Sequence, residues 1–196
     1  ADVIIFQGHA LEVFPALQTS SKHLIADIYD PMHLEQLEQA KHLSTAQYEQ
    51  QVADATATIQ RQLEVGDYFV CASERQRHFY LGQLTTLGRV TPAVYASDPH
   101  LERLIGVVPF GLPDDDPEKG KGMLRGIVPG INKGDAVLVW SGGIYDWFDP
   151  LTLIRAVAEL SHKQPTVKLF FMGTAHPHPG VPEMPIIASA RALAEE

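Results

Sequence analysis

The sequence predicts an α/β protein built from parallel sheets. Three observations predict it. Short apolar runs of strand length recur at residues 3–6, 23–28, 68–71, 104–108, 137–140 and 167–172. Helical stretches lie between most of them. The junctions carry strand-to-helix punctuation, a glycine turn or an Asp-Pro pair. Strands alternating with helices give parallel sheets, here expected with helices on both faces.

Residues 3–6 are a buried strand, followed by a Gln7-Gly8-His9 turn and a short helix over residues 11–17. The next strand covers residues 23–28, and Asp30-Pro31 then supplies a helix cap and a first helical residue. One long helix is expected from residue 32 to residue 64, with Val52, Ala55, Ile59 and Leu63 on one face and Gly66 as its stop. Residues 68–71 form a strand that contains Cys71, expected to be inert core. Ser73 and Gln76 form a capping box for a helix that presents Tyr80, Leu84 and Leu87 on one face and ends at Gly88. The strand at residues 104–108 leads into Pro109-Phe110-Gly111-Leu112-Pro113.

The character then changes. Asp114-Asp115-Asp116, Pro117 and Lys119-Gly120-Lys121-Gly122 read as linker and loop. The last of these is not a phosphate-binding P-loop, because the spaced first glycine and the hydroxyl after the lysine are missing. The strand at residues 137–140 runs into Ser141-Gly142-Gly143, and Asp149-Pro150 opens the next helix, over residues 151–160. A further strand, a His/Pro-rich loop at residues 175–185 and a final helix over residues 188–196 complete the chain. His176 and His178 alone make a poor metal site, and no metal is expected.

Composition narrows the function. The chain has 196 residues, a formal net charge of −9 and no basic block, which argues against nucleic acid and anionic membranes as general partners. A single cysteine excludes an internal disulfide and suits a reducing compartment, so a cytoplasmic location is expected. No apolar run is long enough to span a bilayer. The chain opens directly on a core strand and stops within a helical run, so it is expected to be a piece of a longer protein.

Several signposts carry a family resemblance when taken in order. They are Phe6 to His9, Ala26-Asp27-Ile28-Tyr29-Asp30, Val70 to Arg75, Val107 to Pro113, Val139-Trp140-Ser141-Gly142-Gly143 and Leu169 to Thr174. Together they resemble the group 1 (family 4) glycosyltransferases, and the match runs over almost the whole chain. The resemblance implies two Rossmann-like parallel-sheet units of the GT-B type, both incomplete here. Residues 1–109 would be the rear of the acceptor-side domain, 110–134 a linker with Gly111 as hinge, and 135–196 the front of the nucleotide-sugar domain.

The implied activity is transfer of a sugar, with retention, from a nucleotide-diphosphate sugar to a glycan or lipid-linked acceptor in cell-envelope polysaccharide or glycolipid synthesis. No cofactor is implied, and the isolated piece is expected to be inactive. Gly142, Gly143, Tyr145, Asp146 and Trp147 would hold the donor. His9, Ser73, Glu74 and Arg75 would lie on the acceptor side, and Asp27 and Asp30 would be catalytic, orienting an acceptor hydroxyl or acting electrostatically. For Asp30 a helix-capping role competes, and for Ser73 capping comes first. Trp147 and Phe148 are equally readable as packing residues. The chain departs from the family in the loop Ile144 to Asp149, which holds two carboxylates and no cation where an Arg and a Lys are usual. A catalytically degenerate nucleotide-binding or regulatory α/β module is therefore the alternative. A dehydrogenase is disfavoured because no Gly-x-Gly-x-x-Gly follows a strand.

Overall fold

The computed structural model describes residues 2–118, 120–173 and 183–196. Contacts divide the chain into two units, Ala1–Asp114 and Asp115–Glu196. The first unit is a four-stranded parallel sheet in the order β1 (Val3–Gln7), β2 (His23–Asp27), β3 (Tyr68–Cys71), β4 (Ile105–Val107). The second pairs β5 (Ala136–Trp140) with β6 (Val167–Phe171), again parallel. The chain is thus α/β with parallel sheets, consistent with Rossmann-like units.

Register explains the first core. Phe6 aligns with Ala26, Ala26 with Phe69, and Phe69 with Ile105, so the four side chains share one face of the sheet. All four are buried. Leu11, Ala55, Ile59, Leu63, Tyr80 and Leu84 pack on this same face from the connecting helices α1 (Ala10–Val13), α3 (Thr45–Val65) and α4 (Glu74–Thr86). The strand order never reverses, and right-handed crossovers that all advance in one direction deliver their helices to one side. This corrects the expectation of helices on both faces: Val3 and Ile5 of the edge strand stay exposed, Ile5 at 69%.

The long helix expected over residues 32–64 is two helices. α2 (Met32–Gln39) ends in a 3-10 turn, Ala40–His42, and α3 starts after Ser44. Ser44 Oγ donates to Gln47 Oε1 at 2.7 Å, and the Ser44 N–H reaches the same oxygen at 3.4 Å. This Ser-x-x-Gln pairing offers a helix start in the middle of the polar stretch, and the chain takes it. The two helices pack against each other, joined by Gln51 Nε2 donating to Gln36 Oε1 at 2.7 Å and the Tyr48 hydroxyl donating to Leu37 O at 2.9 Å. The first expected helix also breaks early: Pro15 cannot continue α1, and a 3-10 segment, Pro15–Thr19, takes over.

At α4 the cap residue and the stop are as expected, but the capping box is only half formed, because the Gln76 side chain accepts from the Ala72 N–H and not from that of Ser73. The Ser73 side chain accepts from the Gln76 N–H at 3.3 Å, and Gly88 terminates the helix at φ +71°. α5 (Pro92–Ser97), which was not anticipated, is capped by Thr91 accepting from the Val94 N–H at 3.2 Å, with Pro92 in its first turn. In the second unit α6 (Pro150–Lys163) links β5 to β6, and α7 (Pro185–Glu195) packs against α6. Among the described residues no helix is long and apolar enough to cross a membrane.

One arginine ties helix to sheet. Arg89 donates to the carbonyls of Leu63 (2.8 Å), Glu64 (2.7 Å) and Gly66 (2.7 Å), and its guanidinium lies 5.6 Å from the Phe69 ring centroid. It therefore satisfies carbonyls that the end of α3 leaves open. Arg89→Ala is expected to lower stability by about 2–3 kcal/mol, the scale of losing charge-assisted hydrogen bonds to partly buried carbonyls. Arg89→Lys, which keeps the charge and loses the fork, is expected to recover only part of that loss. Urea unfolding of the two variants measures both.

Candidate functional site

Parallel strands put all their carboxyl ends at one edge, where the following loops meet. In the first unit those loops carry His9 after β1, Tyr29 and Asp30 after β2, and Ser73 after β3. Gly8 turns the chain out of β1 at φ +57°, a conformation that favours glycine. Its carbonyl accepts from Gln62 Nε2 at 2.7 Å, which anchors α3 to the turn. Gln76 Nε2 donates to Tyr29 O at 2.6 Å and Gln76 Oε1 accepts from the Ala72 N–H at 2.8 Å, so the start of α4 is anchored to the loop after β2. Tyr29 meets the Phe110 ring edge-on at 5.8 Å.

A small cavity of about 80 Å³ opens at this edge. Asp27, Asp30, Tyr29 and Gln62 line it. Of the residues singled out from sequence, Asp27 and Asp30 therefore meet, and His9 lies within electrostatic reach of Asp30. Ser73 joins them only through Gln76 and Tyr29, and its hydroxyl is committed to capping α4. Glu74 pairs with Arg77 at 3.8 Å, and Arg75 is exposed. Asp27 Oδ1 accepts from the Tyr29 N–H at 3.3 Å.

Asp30 does not cap α2, contrary to the expectation from Asp-Pro. Pro31 occupies the cap position and no side chain caps the helix. The Asp30 carboxyl instead lies beside Glu35. Burial raises the Asp30 pKa, only partly offset by the hydrogen bond with Glu35 and by His33 and His9. Burial also raises Glu35, with the charge of Asp30 adding to the effect. Burial lowers His33, against the pull of Asp30. Burial pushes the Tyr80 hydroxyl far above its ordinary range, and the charge of Asp30 reinforces this.

Four buried polar atoms around Asp30 lack a hydrogen-bond partner among the described residues. They are Asp30 Oδ1, His33 Nδ1, Gln62 Oε1 and the Tyr80 hydroxyl. A buried polar group left unpaired costs about 1–3 kcal/mol, so such a concentration at the edge where parallel sheets bind ligands marks the site. Sequence reading missed Gln62, His33 and Glu35, while Tyr80, read as a core-facing residue, is in the core and brings its hydroxyl to this cluster as well. The available signal was Thr58 and Gln62 on the same helical face as Ile59 and Leu63, polar side chains in an apolar stripe.

The second unit holds the other candidate, the turn after β5. Neither Gly142 nor Gly143 adopts a left-handed conformation. Gly143 is favoured for a different reason: a Cβ there would lie 2.8 Å from the Tyr145 ring, which would have to move. Around Gly142 there is open space. Trp140 Nε1 donates to Gly143 O at 3.1 Å, and the Tyr145 and Trp147 rings stack at 4.6 Å. Asp146 Oδ1 accepts from the Ile186 N–H at 3.1 Å and so serves the first turn of α7. Asp149 Oδ1 accepts from the Thr152 N–H at 2.9 Å, which caps α6 and lowers the pKa of its carboxyl. Arg125 donates to Asp135 O at 2.6 Å, at the amino end of β5 and so a strand's length away from the turn. Gly111 sits in irregular chain with open space around it, just before the boundary between the units. His176 and His178 lie outside the described residues. Among the described residues no group of three His, Cys, Asp or Glu side chains is arranged to hold a metal ion.

The shifts at Asp30 and Glu35 make a pH prediction. Their folded-state pKa values lie above the ordinary 3.8 and 4.5, so the folded chain holds these protons to higher pH than the unfolded chain does. Their contribution to stability is full below the ordinary values and is lost as pH rises through the folded ones. His33 acts in the opposite sense, its contribution being lost as pH falls below the ordinary histidine range. Asp30→Asn removes one carboxyl component, so the variant is expected to gain stability relative to the parent as pH rises from about 4 to about 7. Unfolding midpoints across that range test it, and a constant difference would refute it.

No family model matches this chain, and no curated protein and no solved structure matches it.

Proposed function

We propose that the chain belongs to the sugar-transfer machinery as part of a retaining glycosyltransferase of the GT-B type. It would take a sugar from a nucleotide diphosphate to a glycan or lipid-linked acceptor. The observation that carries the reading is the turn Ser141-Gly142-Gly143. It stands at the carboxyl end of a parallel strand, ahead of α6, with bare backbone and open space at Gly142. Backbone amides in such a turn can stabilise the charge that grows on a leaving diphosphate. The first unit adds carboxyl groups at its own strand ends, and Asp27 would orient an acceptor hydroxyl while Asp30, with its raised pKa, would suit proton exchange.

A second reading, a nucleotide-binding or regulatory module without transfer activity, is favoured by two observations. Tyr145 closes over Gly143, and the carboxylate of Asp149 already occupies the first turn of α6. Release of free nucleotide diphosphate in the presence of an acceptor glycan separates transfer from binding alone.

Gly143→Val would displace Tyr145 whether or not a phosphate binds, so it says little about the donor. Gly142→Ala is the informative change, because its Cβ meets nothing within 4 Å. The variant is expected to melt like the parent and to bind nucleotide-diphosphate sugars about tenfold more weakly, equivalent to about 1.4 kcal/mol. Calorimetry against a panel of such donors reads this out. Equal affinity in parent and variant would overturn the role of the turn.

A further inference from the structure

We propose that Asp30 and Glu35 hold a single proton between them, and that this bond fastens the first turns of α2 to the loop after β2 until the proton is lost. The pair is a pH-sensitive latch at the rim of the strand-end cavity. It goes beyond the reading above and stands whether or not the chain transfers sugar.

The geometry calls for the proton. The side chains of Asp30 and Glu35 are hydrogen-bonded to each other. Ionised carboxylates only accept, so this contact exists only while one of the two is protonated. Among the described residues no lysine or arginine forms an ion pair with either group. Asp30 Oδ1 is buried without a partner, so a charge placed on Asp30 has nothing there to meet it. Burial favours the protonated form of both groups in the same sense.

The bond stands where a cap would. α2 opens on Pro31, and no side chain caps it. Its second half is tied to α3 through Gln36 with Gln51 and through Leu37 O with Tyr48. Its first turns have only the Asp30–Glu35 bond and the buried side chain of Met32 to hold them to the loop and the core. The N–H groups of Leu34 and Glu35 both donate to Pro31 O, at 2.7 Å and 3.2 Å, and these are the bonds that loosen with the latch. Asp30 and Met32 line the small cavity, so loosening this turn moves part of its wall.

No other group facing the pair replaces the proton. His33 in α2 and His9 after β1 are the basic side chains that reach Asp30. Burial disfavours the charged form of His33, and His9 lies 4.0 Å from Glu12. Asp27, from β2, lines the same cavity and adds a like charge. α4 supplies the Tyr80 hydroxyl, which burial keeps protonated, and α3 supplies the neutral Gln62. The latch is therefore closed below the ordinary carboxylate range and opens as pH rises through the raised folded-state values, where two carboxylates in contact repel.

The test follows the carboxyl carbons of Asp30 and Glu35, and hydrogen exchange at the amides of Leu34, Glu35 and Gln36, in the whole chain from about pH 4 to about pH 8. The two carboxyls are expected to titrate as one coupled pair, with the upper step above the ordinary carboxylate range. Past that step the three amides are expected to exchange about tenfold faster, after correction for the intrinsic rate. Glu35→Gln and Asp30→Asn keep the side-chain shape and supply a permanent amide donor, so each is expected to abolish the exchange step. In Glu35→Gln, Asp30 is also expected to titrate at lower pH than in the parent. Independent titration of the two carboxyls within the ordinary range overturns the proposal. So does an exchange step that persists unchanged in either variant, which would belong to His33.

Discussion

The parallel register of β1, β2 and β3 is the constraint from which the first unit follows. It places Phe6, Ala26 and Phe69 in one row and Gln7, Asp27 and Val70 in the next, on the opposite face. A slip of one residue in β2 would carry Asp27 into the row now held by fully buried Ala26, against the rings of Phe6 and Phe69. A carboxylate cannot be placed there without a partner. The apolar row therefore enforces the register, and the register brings the loops after β1, β2 and β3 to one edge. The cluster around Asp30 is a consequence of how the core is aligned.

α3 connects that core to the site. Its inner face mixes Ala55, Ile59 and Leu63 with two polar residues, Thr58 and Gln62. The polar pair reaches the first β-to-α connection, Thr58 Oγ1 bonding to Glu12 Oε1 at 2.8 Å and Gln62 to the carbonyl of Gly8. Immediately after Gln62, Arg89 holds the last carbonyls of the helix. The carboxyl-terminal third of the helix is thus fixed by polar contacts of long sequence separation, while its apolar residues fill the space beneath. A residue on such a helix is positioned more rigidly than one on a loop, which makes Gln62 a well-defined acceptor.

What the sequence disclosed and what it hid divide along the same physical line. Strand-to-helix alternation was legible because each strand is an apolar run and most helices begin at a recognisable cap, Ser73 before α4 and Asp149 before α6. Local signals failed where two of them competed. Ser44 and Gln47 restart a helix inside a stretch whose polar composition gave no break, and Pro31 took the cap position that Asp30 was expected to fill. The site was legible only as far as it is local. Asp27 and Asp30 could be named from their place at a strand end. Gln62 and Tyr80 could not, because what joins them to Asp30 is the packing of α3 and α4 against the sheet. His33 and Glu35, in the first turns of the helix after Asp30, were local and were passed over because the Asp-Pro pair was read as a cap alone.

The glycine turn of the second unit shows how a motif can be right in place and ambiguous in cause. A Cβ at Gly143 would have to push the Tyr145 ring aside, so that glycine has an explanation in packing and says little of a ligand; Gly142, which no packing requires, carries the information. Nor can the helix behind the turn be treated as an open anion site. The amino end of a helix carries roughly half a positive charge, and the lowered pKa of Asp149 keeps a full negative charge bonded to the Thr152 N–H in its first turn. An incoming diphosphate would meet a helix end already neutralised. Any anion held here must be held by the amides of the turn itself, which makes the bare backbone at Gly142, and not the helix dipole, the element on which donor binding depends.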